Sequence, residues 1–184
     1  MPAAPPRRFV LLDRDGTINV EKHYLSDPEQ MKLYPGVGPA LRRLQDLGLG
    51  LAVITNQSGI GRGYFTLETL ERIHQRLRAL LAAFGVVIDG IYLCPHAPDE
   101  DCDCRKPLPG MVDQAVAELG FDPAQAFLVG DKTVDMELAR AVGATGILVR
   151  TGHGRAHEDK CAAALVVDDL PAAAAFIERS LGSP

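Results

Sequence analysis

With 184 residues, 47% of them hydrophobic and 23% charged, the chain has the length of one domain and enough apolar mass for a core, which excludes a compositionally disordered protein. Its 19 Lys and Arg against 24 Asp and Glu leave a net charge of −5, the wrong sign for an electrostatic footprint on nucleic acid. No apolar run approaches the roughly 18 residues of a membrane span. The start, MPAAPPRR, has no apolar stretch before a cleavage site, so the chain is expected to be cytoplasmic, with no membrane partner.

In chain order, the first predicted strand is the apolar run Phe9–Leu12. Val37, Leu41, Leu44 and Leu47 then recur at helical spacing after Pro35-Gly36. A second strand is predicted over Leu49–Ile54. The longest helical stripe follows, through Leu67, Leu70, Ile73, Leu77, Leu80, Leu81 and Phe84, with Thr66 as N-cap and Gly85 as its end. Strands at Ile91–Leu93, Ala126–Val129, Gly146–Val149 and Leu165–Val167 alternate with helices near 110–119, 134–142 and 171–181. Nearly continuous apolar strands are those covered on both faces. Their alternation with helices predicts an α/β fold with a doubly wound, mostly parallel sheet. Pro95 to Pro109, rich in Pro, Asp and Cys, is the one long segment without periodicity.

In such sheets ligands bind outside the carboxyl ends of the strands. There the chain carries Asp13-Arg14-Asp15-Gly16-Thr17, then Thr55-Asn56-Gln57-Ser58-Gly59, then Arg105-Lys106-Pro107, and Gly130-Asp131-Lys132 followed by Asp135. Asp13 and Asp15 are two apart, so in extended backbone their carboxylates share a side and can divide the tasks of ligand and general acid. Oxygen ligands such as Asp13 and Asp131 suit magnesium, and with Lys106 and the Thr55 hydroxyl they would face a developing negative charge. Phosphoryl transfer is the reaction that needs that combination. Acids and caps also gather at strand ends for structural reasons. It is their coincidence at four strand ends that points to chemistry.

These four segments resemble the motifs of the haloacid dehalogenase (HAD) phosphatase superfamily, in order and over most of the chain. More narrowly, Asp13–Asn19, the stretch TNQSGIGRGYFT at Thr55–Thr66 and the loop Cys94–Met111 resemble D-glycero-D-manno-heptose 1,7-bisphosphate 7-phosphatases, with histidinol-phosphate phosphatases as the neighbouring branch. The resemblance implies that Asp13 attacks phosphorus and becomes an aspartyl phosphate. Asp15 protonates the leaving alkoxide and later activates water, while Thr55 and Lys106 stabilise the phosphoryl group. Asp13, the Asp15 main-chain carbonyl and Asp131 hold magnesium, supported by Asp135. Arg105 and Lys132 recognise the substrate. Asn19, Glu21, Lys22, His23 and Tyr24 line its pocket on one side, and Asn56, Gln57 and Ser58 on the other. The implied substrate is a phosphorylated sugar, heptose 1,7-bisphosphate losing its 7-phosphate toward lipopolysaccharide precursors. Histidinol phosphate is the alternative.

Of the four cysteines, Cys94, Cys102 and Cys104 crowd into one loop with His96, and Cys102 and Cys104 sit too close for easy mutual bridging. Cys94-x-His96-x5-Cys102-x-Cys104 suits a closed, structural zinc site that would order the segment presenting Arg105 and Lys106. Reduced surface thiols are the bland alternative. Gly59-Ile60-Gly61-Arg62-Gly63 has the wrong spacing for a dinucleotide fingerprint and reads as a turn that lets backbone approach the ligand. His74 is assigned to the surface or to packing, and His153 and His157 to a solvated turn. Two readings of another class are a phospho-receiver module, whose phosphorylated Asp should follow the third strand, and a zinc-organised interaction domain. No insertion is long enough for a separate cap, so residues 1–184 are read as one HAD-like phosphatase domain, capless and acting as a monomer. Asn19 to Tyr34 and the cysteine loop remain as the pocket's walls.

Overall fold

Every residue of the first strand is apolar because both of its faces are covered. In the computed structural model, which describes residues 6–182, β1 (Phe9–Leu12) sends Val10 and Leu12 into one buried cluster and Phe9 and Leu11 into another. Residues 1–5 of the proline-rich start lie outside the described residues. Five further strands follow: β2 (Gly50–Asn56), β3 (Gly90–Cys94), β4 (Phe127–Gly130), β5 (Thr145–Val149) and β6 (Leu165–Val167). All pair in parallel, in the order β3-β2-β1-β4-β5-β6. The helices are α1 (Val37–Asp46), α2 (Leu67–Ala82), α3 (Gly110–Leu119), α4 (Thr133–Val142), the short α5 (Gly154–His157) and α6 (Leu170–Gly182). Helices α1, α2 and α6 bury their apolar stripes on the Val10–Leu12 side, while α3 and α4 cover the other face. None is long and apolar enough to cross a membrane.

Helix α2 shows how the local rules operate. Thr66 Oγ1 accepts from the Thr69 N–H, satisfying one of the free donors of the first turn. Leu70, Ile73, His74, Leu77 and Leu81 then repeat at three- and four-residue spacing and are buried. Burying one such leucine is worth roughly 1.5–3 kcal/mol, so Leu77→Asp would both forfeit that and bury a charge. The helix ends at Ala82 rather than at Phe84, because Gly85 turns the chain at φ +71°.

The strand order reverses between β1 and β4, and that is where a parallel sheet opens a crevice. Leu12 is paired with Val129, and the Asp13 N–H donates to the Val129 carbonyl at 2.9 Å, so Asp13 and Gly130-Asp131 leave the sheet side by side. Strand β2 runs two residues further than the apolar run suggests, so Thr55 and Asn56 lie on the strand itself. Between β1 and α1 the chain folds back on itself, with a bridge between Asn19 and Leu33. Val20 N–H donates to the Lys32 carbonyl and Tyr34 N–H to the Ile18 carbonyl.

Candidate active site

Asp13 and Asp131 approach closely because two glycines permit it. Gly16 has φ +85° and Gly152 φ +56°, and a Cβ at either would stand within 2.1 or 2.3 Å of Asp131 Oδ2. Across the crevice the Lys106 ammonium donates to Asp13 Oδ1 at 2.8 Å, to Asp135 Oδ1 at 2.7 Å and to the Ile54 carbonyl at 2.8 Å. Its three protons are thus all used, as a buried ammonium requires. Burial alone would lower the Lys106 pKa, but the Asp13 and Asp135 charges outweigh it and hold the group protonated.

Asp13, Asp131 and Asp135 each bring a carboxylate oxygen to within 4.8 Å of the others. Both Asp135 oxygens are engaged, one by Lys106 and the other by the Lys132 N–H at 3.0 Å. Asp131 differs. Its Oδ2 accepts from the His153 N–H at 2.8 Å, while its Oδ1 is buried without a partner. Burial, with the Asp13 charge behind it, pushes the Asp131 pKa up to about 8. An orphaned carboxylate oxygen beside a second carboxylate fits a hard divalent cation with oxygen ligands.

Asp15 points elsewhere. Its Oδ1 accepts from Asn19 Nδ2 at 2.9 Å, and its Oδ2 from Arg14 Nη2 at 2.8 Å and Gln57 Nε2 at 2.9 Å. Burial would raise this carboxyl, but the Arg14 charge and the hydrogen bonds from Asn19, Gln57 and Arg14 hold it below the ordinary range. Gln57 Nε2 also donates to Thr55 Oγ1 at 2.8 Å, which ties the two strand ends together.

The cleft above these groups has a volume of about 380 Å³. Of the residues that the resemblance puts at the substrate, Glu21, His23, Tyr24, Asn56, Gln57, Ser58, Arg105 and Lys132 line it. Two others stand apart. Lys22 is exposed outside the lining, and Asn19 is fully buried, its amide given to Asp15 and to the Val20 carbonyl. Asn56 also works inward: its Oδ1 accepts from the Lys106 N–H at 3.0 Å and its Nδ2 donates to the Lys106 carbonyl at 3.3 Å. It clamps the lysine's backbone onto β2. At the rim, His23 and Tyr24 adopt φ +41° and +72°, strained for residues with a Cβ, and Tyr24 meets His23 and Tyr64 edge to face.

His153 and His157, expected in a solvated turn, also line the cleft. His153 Nε2 lies 3.6 Å from Glu21 Oε2, and Lys132 Nζ lies 3.7 Å from the same oxygen. The rule that ligands gather at strand ends would have found both histidines, since they follow β5. His74 is a packing residue: it is buried, 3.2 Å from Arg14. The glycine turn after β2 lies against the cysteine loop. Gly61 N–H donates to the Pro95 carbonyl, and a Cβ there would stand 2.6 Å from the Ala97 nitrogen.

Cys94, His96, Cys102 and Cys104 come together at the end of β3. Cys94 Sγ is 3.8 Å from Cys102 Sγ and 3.5 Å from His96 Nδ1, and His96 Nδ1 is 3.3 Å from Cys104 Sγ. These separations exceed any disulfide bond, and all the cysteines are free. Sulfur ligands about 2.3 Å from a tetrahedral zinc stand about 3.8 Å apart, and a sulfur–nitrogen pair about 3.5 Å. The four side chains therefore have the spacing of a closed zinc cage. Burial and the neighbouring Cys104 and Cys102 thiols push the Cys94 pKa up to about 12, a penalty that a bound cation reverses. Arg105 follows directly, its Nη1 donating to the His96 carbonyl at 3.2 Å.

The HAD-hydrolase-like family model matches residues 103–173. The D-glycero-beta-D-manno-heptose-1,7-bisphosphate 7-phosphatase of Haemophilus ducreyi is 43% identical over 172 residues, covering 89% of this chain and 94% of its own. The enzyme of the same name from Pseudomonas putida is 46% identical over 173 residues, covering 91% and 97%. Among solved structures, the D,D-heptose 1,7-bisphosphate phosphatase from B. bronchiseptica, complexed with magnesium and phosphate, superposes with a TM-score of 0.89 at 36% identity, covering 94% of this chain and 99% of that one. Identity of that extent over nearly the whole length makes the chain a phosphatase of the HAD-like hydrolase family, in the branch of the heptose bisphosphate phosphatases.

Proposed function

We propose that the protein removes the 7-phosphate of D-glycero-D-manno-heptose 1,7-bisphosphate, acting as a single capless domain on a soluble sugar bisphosphate. The chemistry is carried by one observation, the buried group of Asp13, Asp131 and Asp135 crossed by the Lys106 ammonium, with Asp15 beside it. The substrate reading is supported by relatives of that name aligned over about nine-tenths of the chain. The same relatives favour it over histidinol phosphate.

In this reading an Asp13 carboxylate oxygen attacks phosphorus, the bond from phosphorus to the sugar oxygen breaks, and Asp15 gives its proton to the departing alkoxide. Asp15 starts ionised; the arriving phosphate charge disfavours that state, and Asp15 takes from solvent water the proton that it then gives to the alkoxide. In the second step the Asp15 carboxylate takes a proton from water, whose oxygen attacks the aspartyl phosphate. Inorganic phosphate leaves and Asp13 is restored. Lys106 and the Thr55 hydroxyl meet the charge on the phosphoryl oxygens, and Arg105 and Lys132 bind the rest of the substrate. Magnesium would be held by Asp13, Asp131 and the Asp15 main-chain carbonyl, with Asp135 orienting Lys106, and when bound it neutralises phosphoryl charge. Zinc would be held by Cys94, His96, Cys102 and Cys104, a complete set that leaves no open position for water.

Steady-state turnover of heptose 1,7-bisphosphate against histidinol phosphate tests the assignment. The heptose is expected to be the better substrate by kcat/KM, with the 7-phosphate released. Histidinol phosphate winning by a wide margin would overturn it.

A further inference from the structure

Arg14 stands between the two acids in sequence, yet its side chain turns away from the cleft and is fully buried. A buried guanidinium must be matched on its own side of the molecule. Nη2 donates to Asp15 Oδ2 at 2.8 Å and to Gln57 Oε1 at 3.2 Å, and Nε has no partner. The remaining arm, Nη1, lies 3.2 Å from Nε2 of His74, which reaches in from the buried face of α2. A guanidinium has no lone pair, so the histidine must be the acceptor. Burial and the Arg14 charge push the His74 pKa down to about 3, which keeps the ring neutral, with its proton on Nδ1 and the Nε2 lone pair facing Arg14.

Asp15 therefore receives hydrogen bonds from three side chains, and the one that carries charge is itself oriented from 60 residues away. We propose that His74 is a positioning residue for phosphoryl transfer: its Nε2 fixes the Arg14 guanidinium, which in turn aims the Asp15 carboxyl at the leaving-group oxygen. This rests on the phosphatase reading above. His74 touches no reacting atom, so its effect falls on the steps in which Asp15 moves a proton and spares substrate binding.

The test uses the dependence on leaving group. A sugar alkoxide needs the Asp15 proton to depart, whereas the 4-nitrophenolate of 4-nitrophenyl phosphate leaves without one. His74→Leu removes the acceptor at similar bulk, and His74→Gln can return an acceptor oxygen near the place of Nε2. Single-turnover cleavage of heptose 1,7-bisphosphate by His74→Leu is expected to slow by about 10-fold to 100-fold, part of the contribution typical of general acid catalysis. In the same single-turnover regime, release of nitrophenolate, which precedes hydrolysis of the aspartyl phosphate, should change by less than about 3-fold, the substrate concentration giving half the maximal rate should stay within about 2-fold, and His74→Gln should recover most of the sugar-phosphate rate. The ratio of the two rates, taken on one preparation, does not depend on how much of the variant is folded. If His74→Leu yields no folded enzyme, His74→Asn, too short to reach Arg14, supplies the same ratio. Equal losses on both phosphates, no loss at all, or failure of His74→Gln to recover the rate overturns the proposal. Absence of turnover of either compound by the unmodified enzyme would instead overturn the phosphatase reading.

Discussion

The two ends of the sheet are hollowed in opposite ways. At the N-terminal ends of the strands lies the larger cavity, about 560 Å³, walled by Pro6, Arg8, Leu47, Gln125 and Leu181 among others. Its arginines are already matched: Arg7 donates to the Gly48 and Leu49 carbonyls and to Asp89, and Arg8 to the Gln125 carbonyl. The cleft at the other end is smaller, about 380 Å³, yet below it Asp13, Lys106, Asp131 and Asp135 are all buried. Charge so buried is costly to keep, and clusters of it gather at functional sites. Volume therefore does not mark the site. Buried, partly unmatched charge does.

The sharpest way to break this contrast is to neutralise Asp13. Asp13→Asn keeps shape and hydrogen-bonding atoms, so the fold and the metal content of the cysteine loop should persist while phosphate release falls by about 1,000-fold or more, as for loss of a covalent nucleophile. Circular dichroism, zinc analysis and a phosphate assay on one preparation decide it, and retained turnover would sink the aspartyl-phosphate mechanism.

A smaller effect is expected one step from the chemistry. Cys104→Ser opens the cysteine cage next to Arg105 and Lys106, so zinc affinity should fall by about 10-fold to 100-fold and turnover by about 10-fold. Zinc stoichiometry and kcat are the readouts. Full activity after loss of zinc would show that Asn56 alone is enough to hold the Lys106 backbone.

Acid should destabilise the charged end through His74, which feels the charges of Arg14, Asp15 and Arg78. Its folded pKa, about 3, lies below the ordinary value of 6.5, so below that value the unfolded chain binds the extra proton. Stability is thus lost as pH falls from about 6.5 toward about 3, with a slope of at most about 1.4 kcal/mol per pH unit from one proton. Urea unfolding at pH 7 and pH 5 should show a smaller difference for His74→Gln than for the unmodified protein.

The least effect belongs to the opposite end. Leu47 is 51% exposed beside the larger cavity, and Leu47→Gln should alter stability by less than about 0.5 kcal/mol and turnover by less than about 2-fold. A 10-fold loss of activity would mean that the larger cavity serves the reaction after all.

Much of this was legible residue by residue. Continuous apolar runs announced strands covered on both faces, and their ends announced where Asp13, Asp15, Lys106 and Asp131 would gather. The spacing of Cys94, His96, Cys102 and Cys104 announced one cluster, which the loop closes at 3.3–3.8 Å. The direction of polar side chains near the cleft was less legible. Asn19 reads as a substrate contact, yet it is buried and turned to Asp15, while Asn56 and Gln57 line the cleft and also bond the Lys106 backbone (Asn56) and Asp15 and Thr55 (Gln57).

The sequence by itself determined which elements form, which faces they bury and which chemical groups reach the carboxyl edge of the sheet. These follow from periodicity and from the strand–helix alternation, which are local in the chain. Only the tertiary structure decided which partner each buried polar group takes. Arg14 meets His74 across 60 residues, Lys106 joins Asp13 across 93, and His153 and His157 arrive at the cleft from behind β5. A hydrogen bond is fixed by distance and direction in space, and no period in the chain encodes which distant donor faces which acceptor.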